Sequence, residues 1–597
     1  MKGPVARPCL YPPPLPHATL GVMPRTSRSS VNTLLLQLRS IRHTYTPEHR
    51  TAKAAILHAV GTAHLGSIDL VTRWQDDLLF LLAFPDDALM REIASALLRK
   101  VERLVKRLPA ADRAAADDTG IAGSKSRHVF AWPIARWLVS AHPRDVDFDW
   151  PSMTDTAHLD RLIRSVVQRA EDDAFESGEW SVREWIALAR GSHHATDLAW
   201  LVSRGAASVS TARMFGAMYD AAGVQVRWTL AGSRAAVSSN LLSTVRLHAR
   251  TSMRPPPTSP VRHITRPLSA IARLGPERVR EVIDVARAAL AVRCREVEAV
   301  SLANPDDVWL ADLGEGTQLA IIGTLPQHRL SLESNYGYLL LSNGVPIGYG
   351  GVTPLFQQAN TGINIFDPFR HSEAAFVWAQ MLRAFHALFG VKRFVVNAYQ
   401  FGEGNDEAIS SGAFWFYYRL GFRPVNADVR RLAAKEQARR AANKSHHSTS
   451  AALKQLASGD MHLTLSGFKR GEFFDEQWLP VIAGGAAQLI AAEDAASSDV
   501  AVARIARRVA EVLGARTATW TMAERAAFTR LAPVVAQLPA LQQWPVRERR
   551  ALAALIRAKG APQEHDFVRM SHAHPRFYQE LIALAQRRTS TARTTPV

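Results

Sequence analysis

Cysteine is almost missing from this chain, which has only Cys9 and Cys294. Two cysteines cannot build a disulfide framework or a cysteine-rich zinc site, and such scarcity fits a reducing compartment. The pair His193-His194 lacks a third ligand nearby, and adjacent side chains on a helix point in different directions. We therefore expect a cytoplasmic protein that holds no metal.

Long uncharged apolar runs are missing as well. None approaches the ~20 residues of a membrane-spanning helix, and the best candidate, residues 478–492, is short and contains Gln488. The N-terminus is rich in proline and has no apolar core of a signal peptide. No internal repeat indicates a solenoid. We expect neither a membrane span nor a signal peptide.

The chain has a large excess of positive charge. With 597 residues it should form two to four folded units, and 47% hydrophobic residues are ordinary for globular domains. A net charge of +18 fits nucleic acid, an acidic membrane surface or a phosphate-rich cofactor as partner. Arginine is spread along the chain, as GC-rich bacterial coding produces, so we interpret the charge mainly as composition. The oligomeric state stays open.

Composition and hydrophobic period divide the chain into segments. We predict an α+β protein in which a central mixed β-sheet domain with flanking helices lies between mainly helical ends. In chain order, the segments are a disordered Pro-rich N-terminus (1–30), a helical region (31–108), a linker (109–127), a mainly helical region (128–245), a Pro-rich linker (246–267), the central domain (268–466) with a basic helical insertion (426–458), and a helical C-terminal region (467–597).

The central domain carries the clearest local signals. Asn343-Gly344 between apolar runs predicts a hairpin, because both residues tolerate positive φ. A short strand over 362–366, a helix from Ser372 to Gly390 and a strand over 393–397 should follow. Residues 412–420 predict an aromatic helix, residues 422–425 an edge strand, and residues 461–465 the last strand of the sheet.

Two segments resemble the GNAT acyltransferase superfamily, whose members transfer acyl groups from acyl-CoA to amines. Residues 367–375 look like the strand-to-helix turn that holds the CoA pyrophosphate. Residues 413–422 look like the closing helix with its Tyr-x-x-Leu-Gly-Phe pattern. The resemblance covers about a third of the chain. It implies an N-acyltransferase, acetyl-CoA as the default donor, and an amine-bearing acceptor of unknown class.

The resemblance also assigns roles to individual residues. Tyr417 would protonate the departing thiolate. The cofactor phosphates would be held by the N-terminus of the helix, where backbone N–H groups suit anions, through Arg370, His371, Ser372, Ala374 and Ala375.

No base for the incoming amine stands out in the sequence. Glu403, Asp406 and Glu407 lie in the loop before the aromatic helix, and we take Glu407 as the catalytic candidate.

The chain departs from the family pattern at the phosphate turn. His371, Glu373 and Ala375 stand where glycines are typical, and the Glu373 carboxylate would repel a diphosphate unless it points away. A non-catalytic scaffold that binds a protein or nucleic-acid partner is therefore an alternative, and an aminoacyl-tRNA-dependent transferase is a second one. The basic insertion is either a nucleic-acid contact or a plain helical hairpin. We favour the hairpin, because no aromatic residue is interleaved for base stacking.

Overall fold

The computed structural model describes residues 31–153, 155–206, 212–243, 246–268, 270–370, 373–468 and 473–594. These residues form a mixed α/β protein in which helices flank two β-sheets. The predicted disordered segment 1–30 lies outside the described residues. None of the described helices is long and apolar enough to cross a membrane.

The first region is helical, as predicted, and side-chain caps fix several of its helix starts. Thr46, Ser67 and Asp87 each accept a hydrogen bond from a first-turn backbone N–H, which satisfies donors that a helix leaves free. The segment predicted as a linker, 109–127, holds the last of these helices. The helices are α1 (Val31–Ile41), α2 (Pro47–Thr62), α3 (Ile68–Ala83), α4 (Ala88–Leu98), α5 (Val101–Lys106) and α6 (Ala110–Ala115).

The second region contains a small antiparallel sheet that the sequence does not predict. Its strand order is β1-β3-β2, and Lys125 pairs with Thr229 across some hundred residues of sequence. Pairing over such a separation leaves no local signal. Its elements are β1 (Lys125–Val129), α7 (Trp132–Ala141), β2 (Val146–Phe148), α8 (Ala157–Arg164), α9 (Arg169–Glu176), α10 (Val182–Arg190), α11 (Asp197–Ala206), α12 (Ala212–Ala222) and β3 (Gln225–Thr229).

The predicted Pro-rich linker, 246–267, is packed against the folded core. Its Arg250 is buried, its Arg254 stacks on the ring of Phe376, and it ends in a short helix. We call residues 246–259 the strap. The elements that follow it are α13 (Pro260–Ile264), β4 (Ile271–Arg273), α14 (Pro276–Ala291) and α15 (Glu298–Ser301).

A large mixed sheet forms the centre of the molecule, within the boundaries predicted for the central domain. Its order is β12-β13-β11-β9-β8-β7-β6-β5-β4, with β10 paired to β8. The Asn343-Gly344 hairpin is present, and both residues have positive φ. The strands are β5 (Ala303–Gly314), β6 (Thr317–Thr324), β7 (Tyr336–Ser342), β8 (Val345–Leu355), β9 (Gln358–Thr361), β10 (Asn364–Ile365), β11 (Arg393–Val396), β12 (Arg423–Pro424) and β13 (Met461–Thr464).

Most of the sheet is antiparallel, but β9 and β11 are parallel. Their connection runs through β10, a 3-10 turn at Asp367–Phe369 and α16 (Ala374–Phe389), which ends at Gly390 in the left-handed conformation, as predicted. The strand expected over 362–366 is shortened to the two residues of β10, and residues 362–363 interrupt the chain between β9 and β10. A parallel pair needs such a crossover, because a tight turn cannot reverse the chain twice.

The closing part of the sheet follows the predicted order. β13 lies between β11 and β12, and Pro424 lies in the edge strand, where a missing N–H costs no ladder hydrogen bond. The predicted aromatic helix is present as residues 413–419, and Gly412, whose φ is positive, separates it from a short helix that precedes it. The basic insertion is helical. The helices here are α17 (Asp406–Ser411), α18 (Ala413–Arg419), α19 (Ala427–Ala442) and α20 (Ser450–Leu456).

The C-terminal region is a helical bundle, as predicted. It packs on the sheet and on α16. In the turn between β8 and β9, Phe356 contacts Phe577 and Tyr578 of the bundle. Its helices are α21 (Trp478–Ala491), α22 (Ser498–Leu513), α23 (Met522–Val535), α24 (Val546–Lys559), α25 (His565–His572) and α26 (Pro575–Thr594).

A buried network of charges joins this bundle to the sheet. Arg329 donates to the carbonyl oxygens of Lys559, Ala561 and Pro562 at 2.6–2.9 Å, and its Nε lies 3.4 Å from Glu564. The charged residues of this network are each at most 3% exposed, and they are Asp307, Arg329, Lys559 and Glu564. Burial, partly offset by Glu564, lowers the pKa of Lys559 to about 8. The network anchors the bundle, because each buried charge depends on a partner from the other region.

A second set of hydrogen bonds fixes the carboxylate of Asp307 in this network. Its Oδ2 accepts from the hydroxyl of Tyr336 at 3.0 Å and from the backbone N–H of Glu564 at 2.9 Å. Its Oδ1 accepts from the indole of Trp309 at 2.9 Å. Asp307 thus receives donors from two strands and from the C-terminal bundle.

We predict that Arg329→Met lowers the free energy of unfolding by about 3–5 kcal/mol, because it leaves the carboxylates of Asp307 and Glu564 buried without their shared cation. Denaturant unfolding measures the change. Arg550→Met, on the exposed side of α24, is the control and should change stability by less than about 0.5 kcal/mol. Equal stability of the two variants would contradict the anchoring role.

Candidate active site

The two parallel strands of the large sheet separate at their carboxyl ends, and we call this place of divergence the crevice. β9 pairs with β11 from Gln358–Arg393 to Asn360–Val395, whereas β10 pairs only with β8. Beyond Asn360, the chain on one side continues toward α16 and on the other toward Asn397. In open α/β sheets, ligands bind at the carboxyl ends of parallel strands, near the N-terminus of the crossover helix. The candidate site therefore lies here.

The first turn of α16 borders this crevice. Ala374 and Ala375 are its first two residues and are half-buried, so their small side chains leave the backbone approachable. Within the described residues, no side-chain hydrogen bond caps the turn. The first N–H groups of a helix have no partner inside it and attract anions. Two other predicted cofactor-binding residues, His371 and Ser372, lie outside the described residues.

Glu373 points away from the crevice. Its carboxylate is 2% exposed, lies 2.9 Å from Nη1 of Arg250, and accepts from the backbone N–H of Arg254 at 2.7 Å. Arg250 is equally buried and also contacts Glu315 at 3.2 Å. The repulsion that the sequence suggested between Glu373 and a bound phosphate is removed, because the strap neutralises this carboxylate.

Arg370 and Glu407, both predicted site residues, form an exposed ion pair. Nη1 of Arg370 lies 2.7 Å from the Glu407 carboxylate, and Nε lies 2.9 Å from Asp367. All three side chains are at least 44% exposed. A pair this exposed contributes little stability. Arg370 can therefore exchange its partner for a phosphate, whereas Glu407 is held by Arg370, the phosphate-binding candidate.

Tyr417 is buried beside the place where the parallel strands separate. It is 3% exposed and packs against Trp378 of α16, with ring centroids 5.8 Å apart, and against Phe401 and Phe422. Its hydroxyl accepts a hydrogen bond from the backbone N–H of Ile363, at the interruption between β9 and β10. Burial raises the pKa of Tyr417 above its ordinary value, so the hydroxyl stays protonated at neutral pH.

Two further side chains touch the interruption between β9 and β10. The hydroxyl of Tyr338 donates to the carbonyl oxygen of Gly362. The side-chain amide of Gln400 lies so close to Gly362 that a Cβ added there would come within 2.6 Å of it. Gln400 therefore fills the space beside the diverging strands, and a ligand that enters from this side displaces it.

A group of carboxylates that the sequence does not indicate lies at the same point of divergence. Glu476 hydrogen-bonds Asn360, the last residue of β9 that pairs with β11, and Asp460 accepts from the backbone N–H of Ala398 at 3.0 Å. Burial, followed by the charges of Glu333 and Asp460, raises the pKa of Glu476. A carboxyl group with a raised pKa is a better base for an ammonium proton than an ordinary one.

No group of three or more His, Cys, Asp or Glu that could hold a metal ion occurs in the described part of the chain. No protein-family model matches the chain, and neither a characterised protein nor a solved structure matches it significantly. The arguments about this site therefore depend on its own geometry.

We predict that Glu373→Ala lowers the free energy of unfolding by about 3–5 kcal/mol, because Arg250 then stays buried without its buried partner. Glu315→Ala removes the exposed partner of the same arginine and should cost less than about 1 kcal/mol. Denaturant unfolding of both variants measures the contrast. Equal losses would show that Arg250 does not depend on Glu373.

Proposed function

We propose that the protein transfers an acyl group from acyl-CoA, with acetyl-CoA as the default donor, to the amine of an acceptor. The observation that carries the proposal is the position of Tyr417, whose protonated hydroxyl reaches the backbone where the parallel strands separate. Tyr417 lies in the second of the two segments that resemble the acyltransferase superfamily, and its ring packs on Trp378 of α16, the helix that begins at the end of the first segment.

Each part of the crevice suits one requirement of the reaction. The first turn of α16 would hold the diphosphate of the donor, with Arg370 as a charge-assisted contact. Glu476 would accept the proton of the acceptor ammonium, and Asn360 positions it. The amine then attacks the thioester carbonyl, the carbon–sulfur bond breaks, and Tyr417 gives its proton to the departing thiolate. Glu476 replaces Glu407 in this proposal, because Glu407 is paired with Arg370.

A non-catalytic scaffold remains the competing function. It predicts that a side chain blocks the phosphate turn, and Glu373 was the candidate for that block. The burial of Glu373 against Arg250 favours the enzyme over the scaffold.

We predict that acetyl-CoA binds the purified protein in the micromolar range and that Arg370→Ala weakens binding about tenfold to a hundredfold, because a charged hydrogen bond to phosphate is lost. Isothermal titration calorimetry measures both affinities. Glu407→Gln is the matched control, because it breaks the same ion pair but leaves the arginine, and it should bind at least as tightly as the unaltered protein.

Two results would count against the proposed function. No heat and no thermal stabilisation at millimolar acetyl-CoA would exclude this donor. Equal weakening by Arg370→Ala and Glu407→Gln would mean that the ion pair shapes the turn and that Arg370 does not bind phosphate.

We predict that Glu476→Gln lowers kcat/KM about 100-fold or more with an amine identified in an acceptor screen, and removes the rise of activity with pH. The rise should follow the raised pKa of Glu476, because only the ionised carboxylate accepts the proton. Glu333→Gln removes a neighbouring negative charge, which should lower the pKa of Glu476 and shift the rise toward lower pH. An unchanged pH profile in Glu476→Gln would assign the base to another group.

A further inference from the structure

The connection between β12 and β13 is much longer than the sheet requires. These strands are hydrogen-bonded neighbours, with Arg423 opposite His462 and Pro424 opposite Met461. A hairpin of two to five residues joins such strands. Here residues 425–460 make the connection and form α19 and α20. The additional helices are not needed to close the sheet.

α19 contributes little to the core. Only Val429, Ala433 and Glu436 of its residues are buried, and these lie on one narrow stripe. The carboxylate of Glu436 is held within the insertion by Arg439, His446 and Ser448. When a helix buries so few apolar residues, its exposed face usually has a function of its own.

That exposed face is basic. Residues 425–460 contain seven Lys or Arg against three Asp or Glu. Arg431, Lys435 and Arg439 are exposed and follow each other at four-residue spacing, so their Cα atoms are about 6 Å apart along the helix. The two acidic residues of α19 each pair with one of these cations, Asp428 with Arg431 and Glu436 with Arg439. Lys435, and Lys444 just beyond the helix, are exposed.

Aromatic rings of α18 lie under the arginines at the edge of this surface. The guanidinium of Arg440 lies 4.9 Å from the ring centre of Trp415, and that of Arg423 lies 4.0 Å from the ring centre of Tyr418. The sequence around α19 shows no interleaved aromatic residue, but the fold supplies two from the preceding helix. Guanidinium groups held over aromatic rings can stack with unpaired bases.

We propose that α19, the following loop to Lys444 and the Arg423–Tyr418 stack form a binding surface for single-stranded nucleic acid. The exposed cations contact backbone phosphates, and the stacked arginines contact bases. The surface adjoins the candidate active site, because α18 carries both Tyr417 and the rings beneath the surface, and Trp415 donates to Ser448 of the insertion at 3.2 Å. The proposal is independent of acyl-CoA binding.

The test is fluorescence anisotropy of the full chain with labelled single-stranded RNA, single-stranded DNA and the matching duplex, between roughly 50 and 200 mM salt. Single strands should bind more tightly than the duplex, with an affinity that falls steeply with salt. Lys435→Glu combined with Lys444→Glu should weaken binding at least about tenfold and reduce the salt slope by about 1.4, the value for two lost phosphate contacts on a single strand.

Arg547→Glu combined with Arg550→Glu is the matched control. Both arginines are exposed on α24, and their replacement changes the net charge equally. This control should keep its affinity within about twofold, and thermal unfolding should show that both variants are folded. No binding at low salt, equal losses in the two variants, a preference for the duplex, or tighter binding to acidic phospholipid vesicles than to nucleic acid would overturn the proposal.

Discussion

The buried ion pair between Arg250 and Glu373 is the contact on which the geometry of the crevice depends. It joins the strap to the first residue before α16, and the same arginine reaches the turn between β5 and β6 through Glu315. The backbone N–H of Arg250 also donates to the carbonyl oxygen of Pro85 in the N-terminal region. Four parts of the chain therefore meet at Arg250. A charge with so many fixed partners keeps the phosphate turn in one arrangement, because each alternative leaves a buried charge unpaired.

The helical ends of the chain support the central sheet in different ways. The N-terminal region contacts the turn itself, since Arg42 pairs with Asp77 at 2.7 Å and donates to the carbonyl oxygen of Pro368 at 3.0 Å. The C-terminal bundle is joined to the sheet through Glu564 and through Arg329, which lies between β6 and β7. A sheet held by both ends of the chain can keep its diverging strands apart without an external partner. This gives the flanking regions a structural role beside any role in binding.

The structural features that could be predicted from the sequence depend on single residues or on residues that are close together in the chain. The hairpin at Asn343-Gly344, the helix end at Gly390 and the edge position of Pro424 depend on the conformational limits of single residues. The small sheet, the partner of Glu373 and the position of Glu476 could not be predicted, because their partners are far away in sequence. Arg250 and Glu373 are 123 residues apart. The stacking of Arg440 on Trp415 is missed for the same reason, since the ring belongs to a different helix.

The network around Arg329 also bears on how the chain is made. The guanidinium of Arg329 donates to the carbonyl oxygen of Lys559, which follows 230 residues later in the chain. At a synthesis rate of 5–20 residues per second, on the order of 10–50 s pass before these acceptors leave the ribosome. The strands from β7 to β13 are made in the first part of that interval, and between the synthesis of Thr464 and Lys559 the sheet is complete in strands but not yet covered. The growing chain therefore exposes charged and apolar surface together, and the last helices convert it into a closed protein.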